Sequence, residues 1–335
     1  MSMSLSDGDA PSVSIVIPAY NAQSYIGSAI RSAQTQTMSN LEIIVVDDAS
    51  TDGTAAIVQE FSGADRRVRY ARMEKNSGPA ASRNCGLRLA RGEWIALLDA
   101  DDRFHPNRLE ALLTLARTSG AEIVADNLLF CTGADDAGRP MIPEATLAAP
   151  RPLMFAEFME SCHQGWNKPK RISYVFMHPM FKREFIEANS IRYNERCRNG
   201  EDFLFYVDLF LARGTWYLTP EPMYVYLVNA GSLTDIVSRE DRRQMVAKLR
   251  TTLRDPIATS DARLFSAIRT YWKFVASDLY YWSFKDAVRA ADHRDALRIL
   301  SLDRAALQLI LNEVLKRGAK AGWRRIKGQR AAQSP

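Results

Sequence analysis

Short apolar runs recur through the first 127 residues, and polar segments with a helical period separate them. Val13-Ser14-Ile15-Val16-Ile17 is a β-branched run that Pro18 ends. Tyr25, Ile26, Ala29, Ile30 and Ala33 follow at the spacing of one helix face. A second run, Leu41 to Val46, ends at Asp47-Asp48, and Asp52-Gly53-Thr54 opens a helix with Ala55, Ile57, Val58 and Phe61. Val68 to Met73 reads as a third strand, Pro79 to Ala90 as a helix and Trp94 to Leu98 as a fourth strand. Leu109, Leu112, Leu113 and Ala116 mark the next helix, and Ile123-Val124 a fifth strand. Strands alternating with helices predict an α/β fold, a mainly parallel, doubly wound sheet flanked by helices.

The rhythm then changes. Residues 131–152 lack a period and read as a long loop or irregular hairpin, suited to a lid or specificity element. Residues 155–234 are mixed, with a helix beginning near Glu201. Beyond about residue 240 the pattern is helical. That region includes Tyr271, Trp272, Phe274, Tyr280, Tyr281, Trp282 and Phe284, which suit helix packing. The expected organisation is a disordered N-terminus (1–11), an α/β domain (12–235) in halves of 12–130 and 131–235, a helical C-terminal extension (236–315) and a basic tail (316–335).

A hydrophobic fraction of 47% with 25% charged residues allows a sizeable core and argues against disorder. Cys85, Cys131, Cys162 and Cys197 form no C-x-x-C pair, as expected of reduced thiols in a cytosolic protein. The N-terminus is polar and lacks the apolar core of a signal peptide. No apolar run approaches the ~20 residues that span a bilayer, so a soluble or peripheral protein is expected. The net charge of +5 is uneven. Lys316, Arg317, Lys320, Arg324, Arg325, Lys327 and Arg330 crowd the tail, leaving 37 basic against 39 acidic residues elsewhere. With Trp323 among them, these charges suit an anionic membrane surface, at about 1 kcal/mol per basic residue. A solvated, frayed terminus is the plainer alternative. One aromatic and no binding module argue against a nucleic-acid partner.

Candidate chemistry gathers where the strands end. Asp99-Ala100-Asp101-Asp102 follows the fourth strand, and three adjacent carboxylates repel unless a cation or donor groups face them. Hard divalent cations take such oxygen ligands and share them with phosphates. An acidic turn capping a helix that starts near Pro106 fits the same four residues. Pro18-Ala19-Tyr20-Asn21 ends the first strand and lacks the G-x-G-x-x-G loop of a nicotinamide dehydrogenase. Asp47-Asp48 ends the second strand, and Asn76-Ser77-Gly78-Pro79 with Arg83 follows the third. A tyrosine can stack on a base, an aspartate can accept a base N–H, and a Gly-Pro turn opening a helix offers N–H groups to phosphate. His105, His163, His178 and His293 show no metal spacing, and only His178 is a candidate for an acceptor site.

These segments together resemble the family 2 glycosyltransferases with the GT-A fold. The resemblance rests on Val13 to Asn21, Val46 to Thr54, Asn76 to Gly86 and Leu98 to Asp102. It continues through Phe181 to Phe185, Asn199 to Phe205 and Ser232-Leu233-Thr234. It implies a nucleotide-sugar half at 12–130 and an acceptor half at 131–235. By resemblance, Pro18, Tyr20, Asn21 and Asp48 lie on the uracil side, and Asn76 and Arg83 lie near base and phosphates. Asp99 faces the ribose and the metal, Asp101 is the main ligand of Mn²⁺ or Mg²⁺, and Asp202 is the general base. The pair Glu201-Asp202 also suits favourable charge in a helix's first turn. Relatives often carry arginine where Leu227 stands.

The chain is also similar to succinoglycan-type exopolysaccharide glucosyltransferases. That similarity implies an inverting transfer of a hexose, glucose from UDP-glucose, in β-linkage onto a lipid-linked oligosaccharide. The expected location is peripheral, on the cytoplasmic face of the inner membrane. A catalytically inactive scaffold that only binds nucleotide sugar is the alternative; the intact Asp101 and Asp202 argue against it.

Overall fold

A computed structural model describes residues 10–133, 136–162, 172–228 and 237–290, with scattered positions between 292 and 312. The chain forms two compact units, Met1–Val237 and Ser238–Pro335. In the first unit, one sheet runs in the order β3-β2-β1-β4-β9-β6-β10-β5, with two short strands on its flanks. Its parallel half holds β1 (Val13–Ala19), β2 (Leu41–Asp47), β3 (Val68–Arg72) and β4 (Trp94–Leu97). Between them run α1 (Ile26–Gln34), α2 (Thr54–Ala64) and α3 (Pro79–Leu89). β1 and β2 are buried along almost their whole length, as strands covered on both faces must be.

β2 lies on one side of β1 and β4 on the other, so the strand order reverses between β1 and β4. That reversal opens a crevice at their C-terminal ends, where open α/β sheets bind ligands. Pro18 does not end β1 but lies within it. Asp48 N–H donates to Ala19 O and Leu98 N–H to Val16 O, so alternate residues of β1 serve opposite neighbours. Pro18 therefore faces the β4 side, and β4 has stopped at Leu97, so no partner misses its N–H. α3 rests almost directly on β1: a Cβ on Gly86 would lie 2.1 Å from Val16 Cγ1.

The second half departs further from the sequence pattern. β5 (Arg103–Phe104) precedes α4 (Arg108–Ser119), and β6 runs the full length Ile123–Cys131. The 131–152 region contributes β7 (Arg139–Pro140), a hairpin partner of β6, and β8 (Arg151–Pro152). After α5 (Phe155–Cys162) comes β9 (Met180–Lys182), inserted antiparallel between β4 and β6. α6 (Arg183–Ala188), α7 (Glu201–Leu211) and β10 (Trp216–Leu227) complete the unit. Gly200 takes φ +92° before α7, a left-handed turn suited to glycine.

The second unit is helical: α8 (Arg239–Thr252), α9 (Pro256–Thr259) and α10 (Ala262–Arg289). Ser238 and Asp241 form a reciprocal capping box at the start of α8. Arg242 pairs with Asp278 at 3.2 Å and Arg239 with Asp286, tying α8 to α10. The seven aromatics between Tyr271 and Phe284 lie within α10, with Tyr271 and Tyr280 buried and Phe274 exposed. No described helix is long and apolar enough to cross a membrane. His163, His293, Ser232-Leu233-Thr234 and the basic tail lie outside the described residues.

Candidate active site

The ends of β1 and β2 are tied together before any ligand is considered. Asn21, at φ +47°, donates its N–H to Ser50 Oγ at 3.0 Å and accepts Thr51 N–H at 2.9 Å. Asp47 is fully buried, accepts Ser50 N–H and Tyr70 OH, and pairs with Arg72 at 2.7 Å. Burial alone would raise its carboxyl, but these donors hold it below the ordinary aspartate value. Asp48 uses both oxygens on the turn before α3, accepting Ser77 N–H at 2.8 Å and Gly78 N–H at 2.7 Å. Tyr20 projects with 50% exposure, while Pro18 and Asn76 are half-buried. Half of Tyr20 is thus accessible to a planar group that an aromatic ring could stack against.

The acidic cluster divides its labour. Asp102 is buried and caps no helix: its Oδ2 accepts Tyr224 OH at 2.8 Å and its Oδ1 accepts Leu227 N–H at 2.9 Å. The cap of α4 is Asn107. Burial, with Asp99 and Asp101 beside it, pushes Asp102 far above the ordinary carboxyl range. The contact at position 227 is made by backbone, so leucine there preserves it. Asp99 keeps 27% of its side chain exposed; its Oδ1 accepts Arg83 Nη2–H at 2.9 Å and its Oδ2 lies 3.9 Å from His178 Nε2. Burial opposes ionisation of Asp99, but Arg83 and His178 hold its carboxyl below the ordinary value.

Among the described residues, Asp99, Asp102 and His178 form a group able to hold a cation, their ligand atoms within 4.8 Å of one another. Asp101, half-buried beside them, is outside that group. His178 is buried and stacks on Tyr224 at 4.2 Å. Burial lowers its imidazole below the ordinary histidine value, although Asp99 and Asp202 oppose it, so the ring is neutral near pH 7. Oxygens of Asp99 and Asp102 with an imidazole nitrogen, and Asp101 adjacent, are a donor set that fits a divalent cation such as Mn²⁺ or Mg²⁺, whose charge would also favour the ionised form of Asp102. Arg108 steadies this wall: it pairs with buried Asp126 at 2.7 Å and donates to His178 O at 2.6 Å.

α7 brings Glu201 and Asp202 to the same place. Glu201 is buried and accepts Arg83 Nη1–H at 2.6 Å. Burial and the neighbouring Asp202 push Glu201 up to about 7, with Arg83 pulling the other way. Asp202 Oδ2 lies 3.8 Å from Arg83 Nη2, and its Oδ1 is buried without a hydrogen-bond partner among the described residues. A buried carboxylate oxygen with no donor is rare unless a further group completes it.

Sequence reasoning offered His178 only as an acceptor-site candidate and missed Tyr224 and Tyr193 as parts of this site. His178 reaches it because β9 pairs with β4, joining Ala96 to Met180 across 84 residues, a pairing with no local signal. Tyr224 follows Asp126-bound Met223, whose N–H donates to Asp126 at 3.1 Å. The His105 ring makes an ordinary polar contact, to Asn107 Oδ1 at 2.6 Å.

Comparison with known proteins places this geometry. The model of the glycosyl transferase family 2 matches residues 14–187. The succinoglycan biosynthesis protein ExoO of Rhizobium meliloti (strain 1021) is 36% identical over 71% of this chain and 66% of its own length. Succinoglycan biosynthesis protein ExoU of the same organism is 29% identical over 90% of this chain and 86% of its own. Among solved structures, S. aureus TarS 1–349 in complex with UDP superposes with a TM-score of 0.63 over 91% of both chains, at 17% identity. The mannosyltransferase PcManGT from Pyrobaculum calidifontis, solved with GDP-Man and Mn²⁺, gives 0.52 over 92% of this chain and 81% of its own, at 18% identity. At those identities the likeness is one of fold, the GT-A architecture. With the match covering residues 14–187, and with relatives named for exopolysaccharide biosynthesis, the chain belongs to glycosyl transferase family 2.

Proposed function

We propose that this chain is an inverting, metal-dependent hexosyltransferase that extends a lipid-linked oligosaccharide during exopolysaccharide assembly. The proposed donor is a UDP-sugar, UDP-glucose by analogy with the succinoglycan proteins, and the product a β-linkage. The observation that carries the reading is one guanidinium, Arg83, shared by Asp99 at the end of β4 and by the Glu201-Asp202 pair of α7. Donor-side and acceptor-side carboxylates thereby face one crevice.

Tyr20 and Pro18 offer a surface for the base, with Asn21, Asp48 and Asn76 around it. Asp101 and Asp99, with Asp102 and His178 close by, are the residues that would hold Mn²⁺ or Mg²⁺. That ion, when bound, offsets negative charge on the departing diphosphate as a Lewis acid. Asp202 takes the proton from the acceptor hydroxyl as its oxygen bonds to the anomeric carbon. The bond to the diphosphate oxygen breaks on the opposite face, and the electron pair leaves with UDP. A positioned base contributes about 10²–10⁴-fold to such a step. The basic tail at 316–330, read with the two halves at 12–130 and 131–235, suits work at the cytoplasmic membrane face.

Incubating the chain and Mn²⁺ with lipid-linked intermediates and a panel of nucleotide sugars tests this reading. One donor should be consumed, with one hexose added, and Asp101→Ala should lose about 10²-fold or more of that turnover. UDP binding without transfer to any acceptor, or undiminished turnover by Asp101→Ala, would overturn it.

A further inference from the structure

Arg83 is 4% exposed and lies on α3. The family resemblance assigns it to the nucleotide, yet both of its terminal nitrogens are turned to protein carboxylates. Nη1 donates to Glu201 at 2.6 Å; Nη2 donates to Asp99 at 2.9 Å and lies 3.8 Å from Asp202. The ring of Tyr193 covers its guanidinium at 5.5 Å. Asn84, the next residue, grips the backbone of Tyr193 through both its N–H and its C=O, each at 2.9 Å. Burial would lower the arginine's proton affinity, but Asp202, Asp99 and Glu201 raise it well above the ordinary value. The cation is therefore permanent and fixed in place.

Three carboxylates from segments about a hundred residues apart would repel one another without it. Arginine holds two of them with one rigid fork, a geometry that a lysine ammonium cannot copy. Oδ2 of Asp202 lies on the Arg83 side, Oδ1 is buried without a protein donor among the described residues, and 21% of the side chain stays exposed for an incoming hydroxyl to reach. We propose that Arg83 is a positioning residue: it sets the Asp202 carboxylate against donor-side Asp99 and does not bind the donor's phosphates. This inference rests on Asp202 being the base.

The test measures kcat and KM for the UDP-sugar, with UDP affinity by calorimetry, in Arg83→Lys, Glu201→Gln and the double variant. Arg83→Lys should keep KM and UDP affinity within about threefold while kcat falls roughly 30-fold or more. Glu201→Gln should lower kcat less, and the double variant should be hardly worse than Arg83→Lys, as residues of one network behave. A loss carried by KM and UDP affinity would put Arg83 on the phosphates and overturn the proposal, as would an unchanged kcat. Should Arg83→Lys not fold, the Glu201→Gln variant decides, and full kcat there overturns the proposal. Asp202→Asn is measured alongside. If it retains turnover, the base assignment fails; if it is inactive while Arg83→Lys keeps full kcat, the positioning role alone fails.

Discussion

Asp47 shows how single residues hold the crevice open. Its carboxylate is buried, yet Ser50, Tyr70 and Arg72 hold it below the ordinary value. The folded chain therefore binds fewer protons there than the unfolded chain does. The stability this confers is complete above the unfolded pKa of about 4 and is lost as pH falls through the lower folded value. Asp47→Asn should cost about 2 kcal/mol at pH 7, because Arg72 loses its buried partner. The cost should shrink below about pH 4, as urea unfolding at pH 3 to 7 would show; an equal cost at every pH contradicts the assignment. At this scale the strand-end residues were legible, because turn and acid residues after apolar runs can sit only at the sheet's edge. The division of labour among Asp99, Asp101 and Asp102 was not. It depends on Tyr224 and Leu227, which arrive from β10 more than 120 residues later.

Between elements, contact distance is what aligns α3 with the site. Gly86 lets α3 approach β1, and a methyl there meets Val16. Gly86→Ala should destabilise the chain by about 2–3 kcal/mol. Adding Val16→Ala should recover part of that loss in denaturant melts; no recovery would mean the clash is relieved elsewhere. β1, β2 and β4 were readable because burial on both faces leaves nearly unbroken apolar runs, and the helices between them because their apolar positions keep a helical period. β10 was not, since Pro220 and Pro222 interrupt it. The structure absorbs them in register shifts between Leu218 and Tyr224, where the ladder with β6 is irregular. β9 is three residues long and its pairing is non-local, so no window of sequence reveals it.

For the whole molecule, the alternation of strands and helices was enough to anticipate a site where the strands end, but not the strand order that opens the crevice there. It could not show that Arg83 joins the two sides of that crevice. The central claim is that Asp202, on α7, activates an acceptor hydroxyl opposite a donor held at the ends of β1 and β4. The most direct measurement compares sugar transfer from the UDP-sugar to lipid-linked acceptor by the full chain and by Asp202→Asn, with UDP affinity measured on both. Transfer should fall about 10²–10⁴-fold while UDP affinity stays within about threefold. Undiminished transfer by Asp202→Asn, or a loss confined to UDP affinity, would contradict the account.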